Sequence, residues 1–437
     1  MQLQIGIIIL IMIAAYAVAN WRKLSVEICM LAAAVAGGLA GAFLKTPPIG
    51  ALARHLVEGT FTYLDVILVF TTATIFISII SESGGVNFVV RGIIKVFYTK
   101  RILALLLLMI IILIPGALTG AGSVSILTVG APIALALGYL GISKKRVAAI
   151  LFIIAALSAV APPVNIWAMI ISAGTAIPYV GFELPLGIPV LLIGTFSMLV
   201  LGWKRETNLK LEDVLKDMPE VPEKMSWWRV SFPFLTFFGL VIVSRIFPFS
   251  IPILGLPLEF TIAAIVAFVV SPKKINILVL SRDTVKLLLP LLATMAIVGS
   301  LQQIMTVTGV RGLISYAVIS MPLIALYVLL VFLIPVSEGV LTYGGAAIIG
   351  IPLVWFLDSM GLHATIVIAG LSLIWPLGDA LPPTALIGRL SIMMSGYKGS
   401  YWDFLKTTWL PWIVITAVGI LMILFSAKLS FLVKWSM

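Results

Sequence analysis

Thr119, Ser123 and Ser125 crowd around Gly120 and Gly122 in an uncharged stretch, Leu113–Pro132, that reads LIPGALTGAGSVSILTVGAP. Hydroxyls beside glycines can serve a hard cation. Sodium takes oxygen ligands, and a helix interrupted at glycine adds freed backbone carbonyls to the hydroxyl set. A half-helix starting near Ser125 would also aim partial positive charge inward, which suits a substrate carboxylate. Small residues that merely let helices pack closely are the competing explanation.

The stretch has a second copy. Leu333–Pro352 reads LIPVSEGVLTYGGAAIIGIP, and Leu113/Leu333, Pro115/Pro335, Gly130/Gly350 and Pro132/Pro352 share one offset, 333 − 113 = 220. The same offset joins Pro162-Pro163 to Pro382-Pro383. Glycine- and proline-interrupted apolar segments at matching positions in two halves point to a binding site. Unwound backbone at membrane depth is tolerated only where it faces protein, ions or a cavity. In this copy Ser337, Glu338, Gly339 and Thr342 stand where an ion would bind, and Gly344 and Gly345 begin the following half-helix.

The threonines Thr71, Thr72 and Thr74 are expected to face the first break, and Thr294 the second. Glu338 matters most: an acid at membrane depth costs at least ~2.5 kcal/mol, so it is expected to balance a cation or carry a proton, a structural hydrogen bond to freed backbone amides being the competing explanation. Asp379, before the second Pro-Pro pair, is read the same way, with Thr384 just beyond it. Asn165 can cap the helix after the first pair or meet substrate. Arg389 can pair with a substrate carboxylate or with an acid.

Composition sets the environment for this chemistry. Of 437 residues, 62% are hydrophobic and 10% charged, against roughly 25% charged in a soluble domain. The chain therefore belongs in a bilayer. A net charge of +11 does not imply nucleic acid, because the cations are scattered between apolar runs; loop charges that set topology explain them. One cysteine and two histidines, His55 and His363, exclude disulfides and make a histidine metal site a poor reading. No cofactor is expected beyond coupling sodium ions.

These positions must be held by helices. Residues 1–50 supply two scaffold spans, Leu3–Ala19 and Val26–Leu44. Residues 51–203 form a first repeat: an interfacial helix Ala51–Phe61, a re-entrant hairpin Asp65–Phe97, a broken helix Arg101–Gly138, a helix broken at Pro162-Pro163, and the span Leu186–Gly202. Residues 204–228 read as a polar linker, and 229–275 as two more scaffold spans, Ser231–Ile246 and Ile251–Val270. Residues 276–437 repeat the order: interfacial Ser281–Leu289, hairpin Pro290–Ser320, the second broken helix, the second Pro-Pro helix and a last span, Leu410–Phe425. An odd number of crossings separates the copies, which predicts inverted repeats. The side bearing Arg22, Lys23, Lys144, Lys145 and Arg146 collects roughly 19 of the cations and the other roughly 9, which places the N-terminus outside and the linker inside.

The order of elements, the glycine/serine break followed by Gly-x-Pro, the stretch from Gly138 and the Pro-Pro pairs resemble the large membrane subunit of TRAP transporters, in the wider ion-transporter superfamily. The resemblance covers nearly the whole chain. It implies an all-α polytopic membrane protein with an elevator mechanism in the cytoplasmic (inner) membrane. It also implies sodium-coupled uptake of an organic acid such as a dicarboxylate or sialic acid. The implied partners are a small four-helix membrane subunit and an extracytoplasmic substrate-binding protein. The chain departs from that pattern at Val164-Asn165, where such subunits often carry serine, and at Glu338.

A stand-alone carrier, or a cation/proton antiporter using Glu338 and Asp379, is the alternative. An enzyme is not expected. Gly378-Asp379 suits one half of an intramembrane aspartyl protease, but no second acid sits in a matching motif.

Overall fold

Among the described residues, Gly84, Gly120, Gly141, Gly309, Gly361 and Gly396 mark helix ends, whereas many prolines lie within helices. Pro115, Pro132, Pro189, Pro233, Pro290 and Pro335 all lie inside helices. Membrane helices tolerate this because neighbouring groups satisfy the freed carbonyl. A computed structural model describes residues 2–44, 48–206, 220–247, 254–382 and 384–434, and all regular structure among them is helical. The first half runs α1 (Gln2–Trp21), α2 (Val26–Phe43), α3 (Ile49–Thr60), α4 (Leu64–Glu82), α5 (Gly85–Phe97), α6 (Arg101–Thr119), α7 (Gly122–Tyr139), α8 (Lys144–Ser158), α9 (Ile166–Thr175) and α10 (Glu183–Gly202). The second half runs α11 (Trp227–Ile246), α12 (Gly255–Val270), α13 (Ile277–Val307), α14 (Val310–Ile319), α15 (Leu323–Leu341), α16 (Ala346–Ser359), α17 (Ala364–Ala380), α18 (Leu386–Ser395), α19 (Tyr401–Thr407) and α20 (Trp409–Leu424), with a short α21 (Phe431–Lys434). Among the described residues nine helices are long and apolar enough to cross a membrane, with α3 and α4 counted as one. This is an all-α polytopic membrane protein.

The halves repeat element for element, with α13 matching α3 plus α4 and with α19 plus α20 matching α10. Gly84 and Gly309 stand at equivalent turns, at φ +85° and +78°, a conformation open to glycine without steric cost. They set the offset there at 309 − 84 = 225, five more than the 220 that joins the two proline-bearing stretches.

Three sequence expectations change. The charged segments Ala51–Phe61 and Ser281–Leu289 are not separate interfacial helices. The first leads through one turn into α4, giving a 34-residue helical run Ile49–Glu82, and the second lies inside the unbroken α13. Their charges pair locally, Arg54 with Glu58 at 2.7 Å and Arg282 with Asp283 at 3.0 Å, so they add no break.

Likewise, Asp65–Phe97 and Pro290–Ser320 are not re-entrant hairpins of two short arms. The hydroxyls of Thr71, Thr72 and Thr74 donate to the carbonyls of Ile67, Leu68 and Phe70 at 2.7–2.8 Å, so α4 runs through them. The strongly amphipathic pieces are α5, after the first glycine turn, and α3, as expected of the segment Ala51–Phe61.

The third change concerns Arg101–Gly138. It is not one crossing in two half-helices but a hairpin, with α6 and α7 packed along one another. Gly120, at φ +72°, reverses the chain. Ser125 then bridges the arms, accepting from the Gly116 amide at 2.8 Å and donating to the Ile112 carbonyl at 2.7 Å.

The second hairpin differs from the first. Its arms α15 and α16 make almost no contact with each other. Instead α15 lies on Trp375–Ala380, and α16 lies on α9 and α17. The tip residue Thr342 adopts φ +50°, and the first turn of α16 is a π-helix, Ala346–Gly350.

The Pro-Pro segments are breaks, as expected. α8 stops at Ser158 and α9 resumes at Ile166; α17 tightens into a 3₁₀ turn, Trp375–Ala380, before α18. Pro383 lies outside the described residues, as do 207–219 of the linker and the start of the span expected at Ile251.

Two layers result. The scaffold pairs α1 with α2, α11 with α12, α2 with α13 and α12 with α4. At its centre α3 crosses α13 with backbones in close approach at Gly59 and Gly299, and Ser300 donates to the Leu56 carbonyl at 2.7 Å. The hairpins and broken helices form the other layer. Every residue of α8 from Val147 to Ser158 is buried, as is every residue of α17 from Thr365 to Ala380. Helices apolar on all faces belong in a core.

Candidate functional site

Glu338 sits three residues before the end of α15 and is 1% exposed. Its Oε2 accepts from the indole Nε1 of Trp167 at 2.8 Å. Trp167 lies on α9, in the other half of the chain, and its ring packs on Tyr343 with centroids 4.9 Å apart. Next to Glu338, Ser337 accepts from Trp375 Nε1 at 3.1 Å and donates to the Ile334 carbonyl at 2.8 Å. Gly378 lies directly on this segment: a Cβ there would fall 2.1 Å from the Pro335 carbonyl and 2.5 Å from the Glu338 Cβ. Asp379 follows it, 8% exposed, in the 3₁₀ turn that Tyr401 holds through a 2.8 Å bond to the Ala380 carbonyl.

Two acids therefore share one buried neighbourhood between the halves. The pairs Arg54–Glu58, Lys273–Glu82 and Arg282–Asp283 lie at the surface, and Glu338 belongs to none of them. An ionised carboxylate so placed, with one indole N–H as its bonded partner, lacks the compensation that burial demands. It needs a proton or a cation. This chemistry is the most specific feature of the site.

The remaining candidates divide. Gly339 receives the second Pro-Pro segment: its carbonyl accepts from the Thr384 hydroxyl at 3.0 Å and from its amide at 3.3 Å. Gly345 lies against Ser337 and Trp375. The Thr342 hydroxyl bonds its neighbour's carbonyl, Leu341, at 2.7 Å. Gly344 faces the scaffold instead, touching Met30 and Val298. Arg389 lies on α18 next to Gly388, against which the Tyr401 hydroxyl packs.

In the first half, Gly120 rests on Val164 and Ile166, and the Val164 amide donates to the Ala117 carbonyl at 3.0 Å. The hairpin tip thus docks on the Pro-Pro break. Gly122 lies against the Ala155 carbonyl and, from the other half, Ile387. Thr119 donates to the Pro115 carbonyl at 2.7 Å. Ser125, on α7, is held twice by the opposite arm α6 and stands 3.1 Å from the Ser158 hydroxyl. Ser123 is buried at the tip. Asn165 does two things: Oδ1 caps α9 through the Ala168 amide at 3.0 Å, and Nδ2 donates to Ser372 of the other half at 2.9 Å.

Thr71, Thr72 and Thr294 are spent within their own helices, Thr294 bonding the Pro290 carbonyl at 2.9 Å. Val298, not Thr294, meets the second tip. The sequence reading missed Trp167, Tyr343, Trp375 and Ser372. A tryptophan deep in an apolar run offers one usable signal, because its N–H must find an acceptor when buried.

No family model matches this chain, and no curated protein does. Among solved structures, the fold resembles the YdaH transporter of Alcanivorax borkumensis, a crystal structure described as revealing an unusual topology. The TM-score is 0.56 at 13% sequence identity, over 84% of this chain and 86% of that one.

Proposed function

We propose that this chain is a secondary active transporter of the cytoplasmic membrane that moves a small organic acid with a coupled cation. The observation that carries the reading is Glu338, a buried acid without an ion-pair partner, bonded across the two halves by Trp167. The fold shared with a transporter supports it. So does the two-fold recurrence of a hairpin beside a broken helix, the arrangement in which carriers bind solute between repeats.

On this reading the repeats are inverted, since each half makes five crossings: three scaffold spans, one broken helix and one final span. One end of the bundle gathers Lys273 with Glu82 at 3.5 Å, and Arg101 on the Gly202 carbonyl at 2.8 Å. The far end of α13 reaches Gly309, beside Ile5. The cation-rich end faces the cytoplasm and the N-terminus faces out. α5 and α14 link scaffold to hairpin in each half and serve as the arms of an elevator movement.

Sodium is the coupling ion that hydroxyls and freed carbonyls suit. Proton coupling or cation antiport is the second reading, favoured by Asp379 following directly on Gly378, which packs on Glu338. Operation as a TRAP large subunit would add the small four-helix subunit and the extracytoplasmic binding protein. The test is uptake into proteoliposomes holding the purified chain alone, under a sodium gradient or a pH gradient. Uptake under neither gradient, with or without co-expressed partners, would defeat the proposal.

A further inference from the structure

Arg311 carries a positive charge that its surroundings leave unanswered. It is the second residue of α14, and the Nη1 side of its guanidinium donates to the Thr306 hydroxyl at 3.1 Å. Its Cζ stands 5.2 Å from the ring centre of Trp355, on α16. Nε and Nη2 are both buried, and neither has a hydrogen-bond partner. These two nitrogens form the side-on edge of the guanidinium, the fork that matches the two oxygens of a carboxylate or phosphate. Among the described residues no acid pairs with it; its polar surroundings are the Thr306 hydroxyl and the Tyr63 phenol, itself bonded to Gln302.

Neither member of the stacked pair is dictated by the repeat. The Gly84/Gly309 equivalence places Val86 opposite Arg311, and the 220-residue offset places Leu135 opposite Trp355. A charge needed for the common fold would recur in the first half, and this one does not. Leaving charged donors buried and unpaired is costly, so retaining one calls for a partner. Trp355 is 47% exposed, so the stack lies at the surface of the bundle with the Nε/Nη2 edge turned inward.

We infer that the Nε/Nη2 edge of Arg311, backed by Trp355, is an oxyanion receptor at the end of the bundle beside the N-terminus. Its ligand is a carboxylate of the transported organic acid, which rests on the function proposed above, or the phosphate of an anionic lipid. The binding edge is covered in this conformation and opens when α16 shifts against α13 and α14.

The purified full-length chain in phosphatidylcholine nanodiscs, titrated with a panel of labelled mono-, di- and tricarboxylates, tests the first source. Native mass spectrometry with added phosphatidylglycerol tests the second. For a carboxylate ligand, Arg311→Gln weakens binding tenfold or more, and Arg311→Lys, which keeps charge but loses the fork, falls between. Phosphatidylglycerol retention that depends on Arg311, with no carboxylate bound by the wild type, keeps the receptor and defeats the organic-acid reading. Wild-type carboxylate binding in Arg311→Gln, in a variant whose melting temperature is unchanged, overturns the receptor while sparing the transport proposal. Binding of neither probe by the wild type overturns it as well.

Discussion

Trp167 and Glu338 belong to opposite halves of the chain and meet in a 2.8 Å hydrogen bond that water does not reach. The bond joins the helix after the first Pro-Pro break to the arm before the second hairpin tip. Any event that alters the charge on Glu338 is therefore felt by both repeats. A cation arriving at the carboxylate competes with the indole for its lone pairs, and a proton weakens the acceptor.

The first expectation follows from that charge. Glu338→Gln keeps shape and still offers an oxygen to Trp167, but it cannot carry a proton or balance a cation. Gradient-driven uptake should fall about tenfold or more, at least ~1.4 kcal/mol on the coupled step. Solute exchange in the absence of a gradient should survive. Wild-type uptake across pH and sodium concentration would reduce Glu338 to a packing residue.

A second expectation separates the bond from the charge. Trp167→Phe removes the donor and leaves a buried carboxylate without its hydrogen bond, a loss of about 1.5–3 kcal/mol. In the Glu338→Gln background the same change should cost less. The coupling energy, read from thermal unfolding of the four proteins, should be about 0.5–3 kcal/mol. Additive losses would mean that the bond contributes nothing of its own.

How far the site was legible in the sequence can be judged at its glycines. The offset that pairs Pro115 with Pro335 located both hairpin tips and singled out Glu338. It did not reveal that Gly120 turns the chain back, because apolar periodicity is the same for a helix that continues and one that reverses. The threonines of α4 misled for a related reason. A helical threonine can return its hydroxyl to the preceding turn, as Thr74 does to Phe70, and so leave the helix whole. Trp167 and Trp375 carry no local pattern, and their roles come from tertiary contacts alone.

The third expectation grades those glycines. A Cβ on Gly122 would lie 2.4 Å from the Ala155 carbonyl, backbone inside a fully buried helix that cannot give way. On Gly344 the nearest atom is the flexible Met30 Sδ at 3.2 Å, and on Gly202 it is a Leu105 methyl at 3.0 Å. Gly122→Ala should cost about 1–3 kcal/mol of stability and most of the transport activity. Gly344→Ala and Gly202→Ala should melt close to the wild type. Equal melting temperatures for all three would mean that the first hairpin yields where its packing says it cannot.

The last expectation is mechanical. The phenol of Tyr16, on scaffold helix α1, donates to the Val340 carbonyl just before the second hairpin tip, and Met30 of α2 touches Gly344 in that tip. The first hairpin tip rests instead on α8 and α18, elements of its own layer. If the layers slide past each other, the contact between Tyr16 and Val340 must break once in each cycle. A chain with Cys29→Ser, Tyr16→Cys and Val340→Cys, bridged by a short reducible bifunctional reagent, should bind solute but not carry it. Reduction should restore uptake, and each single-cysteine control should transport after the same treatment. Undiminished uptake by the cross-linked protein would fix α1 and the second tip as one rigid body. The moving boundary would then have to lie along the first hairpin, where an apolar crevice of about 600 Å³ separates α6 from α11.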